Sequence, residues 1–142
     1  MEIRTLTADH PLPDGHLRLL GAVDAVVGAA TLVELGGARL LVDAGLPVGQ
    51  PGTRLTPGLA DAAHHAEALL VTHAHQDHLG AIPALLEAGF DRPILATAAT
   101  LAVARIQLED GLRLAGLPES RAEALLGRFA ALGRAVAYDA PV

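Results

Sequence analysis

Residues 73–78 read His-Ala-His-Gln-Asp-His, three histidines and an aspartate in six positions, between the apolar run Leu69-Leu70-Val71 and Leu79-Gly80-Ala81-Ile82-Pro83. Neutral imidazole and carboxylate are the ligands of zinc and related divalent ions. On an extended or turning backbone, side chains two apart point the same way. His73, His75 and Asp77 can therefore converge, while His78 opens the following helix and faces a neighbouring point. Four donors satisfy one tetrahedral ion in number, but so short a stretch hardly wraps a single ion with good angles. Two adjacent ions completed by ligands from elsewhere suit the spacing better, and such a pair makes a hydroxide nucleophile at neutral pH. The plain alternative is a polar surface turn. Against it stands the placement of four donors at the C-terminal end of a buried strand.

The rest of the composition narrows the chemistry. The 142 residues suffice for one small domain, and 51% apolar content fits a globular protein. Cysteine is absent, which excludes disulfides, thiolate nucleophiles and Cys-ligated zinc. A formal net charge of −6 argues against tight non-specific nucleic-acid binding, and the scarcity of aromatics leaves no visible base-stacking surface. Tyr138, Phe90 and Phe129 read as core or edge residues. The N-terminus lacks a signal-peptide pattern, and no uncharged apolar run approaches the roughly 18 residues that span a bilayer. The expectation is a cytoplasmic protein with no membrane association.

The elements that must position the cluster follow from pattern. His16–Leu20, Ala29–Leu35 and Arg39–Asp43 read as short strands of an antiparallel meander, with Gly36-Gly37 as a hairpin turn. Residues 46–60, rich in proline and glycine, read as a long surface loop. Ala68–Thr72 is a buried strand ending directly at His73. Leu79–Ala88 turns helical, with Pro83 tolerated near the first turn and Gly89 as the stop. Pro93–Ala96 is a further strand and leads into a helix over Thr97–Leu114, with Leu101, Ala104, Ile106, Leu108 and Leu112 on its apolar side. Another helix spans Glu119–Leu132, Gly133 ends it, and Ala135–Tyr138 forms a last strand. Strands first, then strand and helix alternating, give a layered α/β arrangement.

His73-Ala74-His75-Gln76-Asp77-His78 followed by Leu79-Gly80 resembles the HxHxDHxG signature of the metallo-β-lactamase fold hydrolases. Leu40-Leu41-Val42-Asp43-Ala44-Gly45 resembles that superfamily's upstream strand–aspartate motif. Gly80-Ala81-Ile82-Pro83-Ala84-Leu85, Gly89-Phe90-Asp91-Arg92-Pro93-Ile94 and Thr97-Ala98-Ala99-Thr100 are similar to the β-CASP RNA-processing nucleases, the branch of ribonuclease J and of the cleavage-and-polyadenylation endonuclease. So are Ile106-Gln107-Leu108-Glu109-Asp110 and the ending Val136–Val142. The resemblance is weakest over residues 1–16 and 46–66.

The resemblance implies an αββα sandwich, of which residues 1–142 are the N-terminal part. It implies that His73 and His75 ligate a first zinc, that Asp77 and His78 ligate a second, and that Asp43 lies behind the site and orients a ligand or the metal water. Asp77 and Asp43 are thus the expected catalytic carboxylates. Manganese fits the same donors. Thr72 is expected to cap or pack, His64-His65 to be a solvated pair, and His10 and His16 to carry little signal.

In the family a third histidine, a bridging aspartate and a last histidine come from later in the chain. No histidine follows His78. Glu109, Asp110 and Asp139 lie in segments that match intervening sequence, so they do not take those roles. The chain therefore reads as the N-terminal portion of a longer hydrolase, without the β-CASP insertion and the C-terminal part. The full-length protein would be a two-zinc phosphodiesterase cleaving RNA with a metal-bridging hydroxide. The competing readings are a catalytically inactive fragment that leaves an apolar sheet face uncovered, and a thioester or lactone hydrolase of the same fold.

Overall fold

Alternating apolar residues build the first half of the sheet, and longer apolar runs build the second. The computed structural model describes residues 8–21, 28–46 and 55–141. Strands β1 (Ala8–Leu12), β2 (Gly15–Leu19), β3 (Thr31–Leu35) and β4 (Ala38–Val42) form an antiparallel meander. At the β3–β4 turn Gly36 and Gly37 take φ of 57° and 87°, the left-handed pair a two-residue hairpin favours.

Strands β5 (Ala68–Leu70), β6 (Ile94–Ala96) and β7 (Gly133–Ala135) then add in parallel, completing a seven-stranded sheet in the order β1 to β7. Helix α1 (Pro57–His65) precedes β5. Helices α2 (Gln76–Leu79) and α3 (Ile82–Glu87) separate β5 from β6, and α4 (Ala98–Leu114) and α5 (Glu119–Leu132) separate β6 from β7. Each longer connection is the helical crossover that parallel neighbours require.

Several boundaries differ from the sequence expectation. Strand β1 lies in a stretch read without structure. The loop expected over residues 46–60 gives way to α1 at Pro57, with Thr56 Oγ1 accepting the Leu59 N–H at 3.3 Å as its cap; residues 47–54 of that expectation lie outside the described residues. The last strand is Gly133–Ala135 rather than Ala135–Tyr138, and Gly133 both ends α5 and opens β7.

The helix expected over Leu79–Ala88 is two short ones, for a reason visible in the backbone. Asp77 carbonyl accepts the Ala29 N–H at 2.7 Å, and Ala81 N–H donates to Ala44 carbonyl at 2.8 Å. These two groups would otherwise pair with each other one helical turn apart. Pro83, with no N–H to give, then sits in the first turn of α3.

Cross-strand register divides the sheet into two unlike faces. Leu32, Leu41, Leu69 and Ile94 are aligned neighbours on one face, none more than 4% exposed. They share a core with Leu59, Leu79, Ile82, Leu85, Leu108, Leu125 and Phe129 from the helices. On the other face Leu17, Val33 and Leu40 align in one row, and Val42, Leu70 and Leu95 in the next. All of these are half-buried, and none belongs to the core cluster. Phe90 joins the core with Phe129, whereas Tyr138 is 84% exposed and Ile106, placed by periodicity on the apolar side of α4, is 60% exposed.

Candidate metal centre

Parallel strands β4 and β5 end side by side, and the chain leaves both at the same edge of the sheet. Asp43 N–H continues the ladder by donating to Leu70 carbonyl at 2.8 Å, and the next turn of chain departs with Asp43 at φ 61°. Aspartate tolerates this left-handed conformation better than most residues. Among the described residues Asp43 is the one buried charged side chain, 5% exposed.

Its carboxylate takes three contacts. Oδ1 accepts the Thr72 backbone N–H at 2.8 Å, and Oδ2 accepts the Thr72 hydroxyl at 2.8 Å. His78 Nδ1 also lies 2.8 Å from Oδ2. An ionised carboxylate only accepts, so His78 carries its proton on Nδ1 and Nε2 is left with a free lone pair. This is the arrangement of a metal-binding imidazole held from behind by a carboxylate.

Backbone contacts hold the ligand turn against the segment after β4. Ala44 N–H donates to His78 carbonyl at 2.8 Å, and Ala29 N–H reaches the Asp77 carbonyl. Gly45 passes so close to Asp77 that a Cβ there would overlap the Asp77 carbonyl, and this explains the glycine. None of these cross-chain contacts is visible in sequence. Thr72, read as a cap or packing residue, bridges Asp43 and His73, with its Oγ1 3.0 Å from His73 Nδ1.

All the sequence-expected residues meet at this edge, in a slightly different grouping. The extended stretch ends at His75, which is the N-cap of α2, so Asp77 sits in the helix rather than below His73 and His75. His73 and His75 rings lie 4.7 Å apart, and His73 and His78 rings 4.0 Å apart. Asp77 Oδ2 instead approaches His78 Nε2 at 3.7 Å. His75 is exposed, while His73, Asp77 and His78 are half-buried.

The other candidates lie apart from it. His64 and His65 are exposed at the end of α1, with His65 Nδ1 donating to Asp61 carbonyl at 2.9 Å. His10 is exposed on β1, and His16 Nε2 is 3.3 Å from Glu34 on the meander. Glu109 and Asp110 are exposed on α4, where Asp110 pairs with Arg113; Asp139 is exposed near the end.

The spacing of the donors can be set against what zinc requires. Two nitrogens bound to one tetrahedral zinc at its usual bond length lie about 3.4 Å apart. His73 Nε2 and His75 Nδ1 are 3.2 Å apart, and the Asp77–His78 pair is 3.7 Å apart. Each pair therefore fits two corners of a coordination sphere. Among the described residues no three His, Asp or Glu side chains are gathered into a metal-holding group. The donors stand as two close pairs.

Known proteins share the sequence that builds this edge of the sheet. Residues 23–130 match the Metallo-beta-lactamase superfamily. Ribonuclease TTHA0252 of Thermus thermophilus is 38% identical over 98 residues, 69% of this chain and 23% of that protein. Ribonuclease J of Corynebacterium glutamicum is 39% identical over 100 residues, 64% of this chain and 14% of its relative. Integrator complex subunit 11 of Danio rerio is 32% identical over 106 residues, 70% of this chain and 18% of that subunit. The chain thus spans between 14 and 23% of the length of these relatives. With the superfamily match covering the strand–aspartate motif, the ligand turn and most of both long helices, the chain belongs to the metallo-β-lactamase superfamily.

Proposed function

We propose that Asp43 and the His73–His78 turn are one half of the active site of a two-zinc phosphodiesterase that cleaves RNA. The observation that carries the reading is the pairing of donors at the carboxyl edge of β4 and β5: His73 with His75 at 3.2 Å, and Asp77 with His78 at 3.7 Å. His73 and His75 would hold one ion, Asp77 and His78 the other, and manganese could replace zinc on the same donors. When bound, the two ions would supply an activated water at neutral pH and Lewis-acid stabilisation of the oxygens at phosphorus. Asp43 stands behind the site and holds His78 through Nδ1, which leaves Nε2 for a metal. Asp77 brings a carboxylate to the edge of the second position, where it offsets cationic charge.

RNA as substrate is supported by the names of the relatives, two of which are ribonucleases. A cytoplasmic setting goes with such a substrate. In this reading residues 1–142 are the N-terminal part of a metallo-β-lactamase domain. A β-CASP insertion and a C-terminal part would bring the remaining ligands and cover the open face of the sheet. The 142-residue chain alone would then bind metal weakly and turn over little.

The deciding experiment incubates the full-length protein, loaded with zinc, with labelled single-stranded RNA, a lactone and a thioester in parallel. Cleavage of RNA that disappears in His75→Ala supports the proposal. Hydrolysis of the lactone or thioester with intact RNA would overturn the substrate and keep the metal site.

A further inference from the structure

Thr72 stands directly before the ligand turn and touches the supports of two of its histidines. Its backbone N–H and its hydroxyl donate to Asp43 Oδ1 and Oδ2, each at 2.8 Å. Its hydroxyl oxygen also lies 3.0 Å from His73 Nδ1. A threonine hydroxyl has a single proton and two lone pairs. With that proton directed to the carboxylate, only a lone pair faces His73, so His73 Nδ1 must be the donor. His78 Nδ1 donates to the same carboxylate oxygen, Asp43 Oδ2.

We infer that Thr72 is a positioning residue that extends the Asp43 carboxylate to His73. One buried carboxylate thereby fixes the tautomer of a histidine in each donor pair. Both rings present an unprotonated Nε2: that of His73 accepts from His75 Nδ1 at 3.2 Å, and that of His78 faces Asp77. The inference rests on the two-pair reading of the site and adds to it the residue that couples the pairs. A threonine serving only as a local cap would need one of these contacts. Three contacts, to the carboxylate twice and to a ligand ring once, make a chain of hydrogen bonds in which each link polarises the next. The chain ends on the imidazoles, where hydrogen bonding behind a ligand raises its basicity toward a metal.

The test reads tautomers directly. Long-range proton–nitrogen correlation spectra of the 142-residue chain, labelled with nitrogen-15 in histidine and kept zinc-free in mildly alkaline buffer, distinguish Nδ1–H from Nε2–H rings. His73 and His78 are expected as Nδ1–H. In Thr72→Val, His73 shifts toward Nε2–H while His78, still held by Asp43, stays unchanged and shows that the turn remains folded. Thr72→Ser retains the wild-type pattern. Zinc titration of the same chains should show a loss of about tenfold or more in affinity for Val and little change for Ser, the scale typical of outer partners of metal ligands. Three results would overturn the inference: His73 as Nε2–H in the unsubstituted chain, a His73 tautomer indifferent to Thr72→Val, or equal zinc loss in Ser and Val. If the full-length protein takes up no zinc at these donors while the His73 tautomer follows the hydroxyl, the two-metal reading fails and the Thr72 link stands.

Discussion

Two histidine–carboxylate contacts in this chain use the same chemical groups in opposite settings. His16 and Glu34 meet at 3.3 Å on the meander, with side-chain exposures of 51% and 22%, and Arg39 shares the same carboxylate at 2.7 Å. His78 and Asp43 meet at 2.8 Å, with exposures of 25% and 7%. On the meander, water can replace either partner, so the contact adds little beyond solubility. At the carboxyl edge of the sheet, water cannot replace Asp43, and three donors depend on it. The site is set by what stands behind the ligands, because burial turns an ordinary histidine–carboxylate contact into a fixed orientation.

That contrast can be broken most forcefully at Asp43. Asp43→Ala strands the Thr72 N–H and frees His78, and it places a less tolerant residue at φ 61°. A buried donor left without its acceptor typically costs about 1–3 kcal/mol, and with several donors stranded urea unfolding should show a loss of about 3 kcal/mol or more. A loss below about 1 kcal/mol would mean that Asp43 behaves like a surface residue.

Next in size is Gly45→Ala. The added Cβ must push the Asp77 carbonyl away, at a cost of about 2–3 kcal/mol typical of overpacking. The same variant should weaken zinc binding, because the displaced segment carries Asp77 and His78. Full zinc affinity in a destabilised Gly45→Ala would show that the turn is not held by this contact.

The smallest effect belongs to the meander. Glu34→Gln should change stability by less than about 1 kcal/mol, as expected of exposed pairs. High salt should narrow the gap between that variant and the wild type, since exposed charges are screened within about a Debye length, and leave the Asp43→Ala deficit nearly unchanged. Equal salt sensitivity at both places would erase the distinction between them.

How much of this was legible in sequence depends on how local each interaction is. The ligand turn was legible because its donors are consecutive, and β3, β4, α4 and α5 because their patterns run for a turn or more with glycine or threonine at the ends. Helix α1 was hidden in a proline- and glycine-rich stretch, although Thr56-Pro57 is a cap followed by a first-turn proline. Strand β1, with Pro11 and three exposed residues out of five, carries the weak pattern of an edge strand. The split between α2 and α3 was not legible, because it is caused by Ala29 and Ala44, more than 35 residues upstream of the groups they bind. The link from Thr72 is hidden for the same reason: its partner, Asp43, is 29 residues away. The alternation of β2 to β4 marks them as sheet, and the cross-strand register shows which row of apolar residues is only half-buried.

The central claim is that the His73–His78 turn, held by Asp43, binds divalent metal through paired donors. Calorimetric titration of zinc into the wild-type chain, His75→Ala and the double variant His64→Ala/His65→Ala tests it most directly. Saturable binding is expected in the wild type, unchanged binding without the α1 histidines, and a loss of at least about tenfold without His75. Equal binding in the wild type and His75→Ala, or binding that follows His64 and His65, would contradict it.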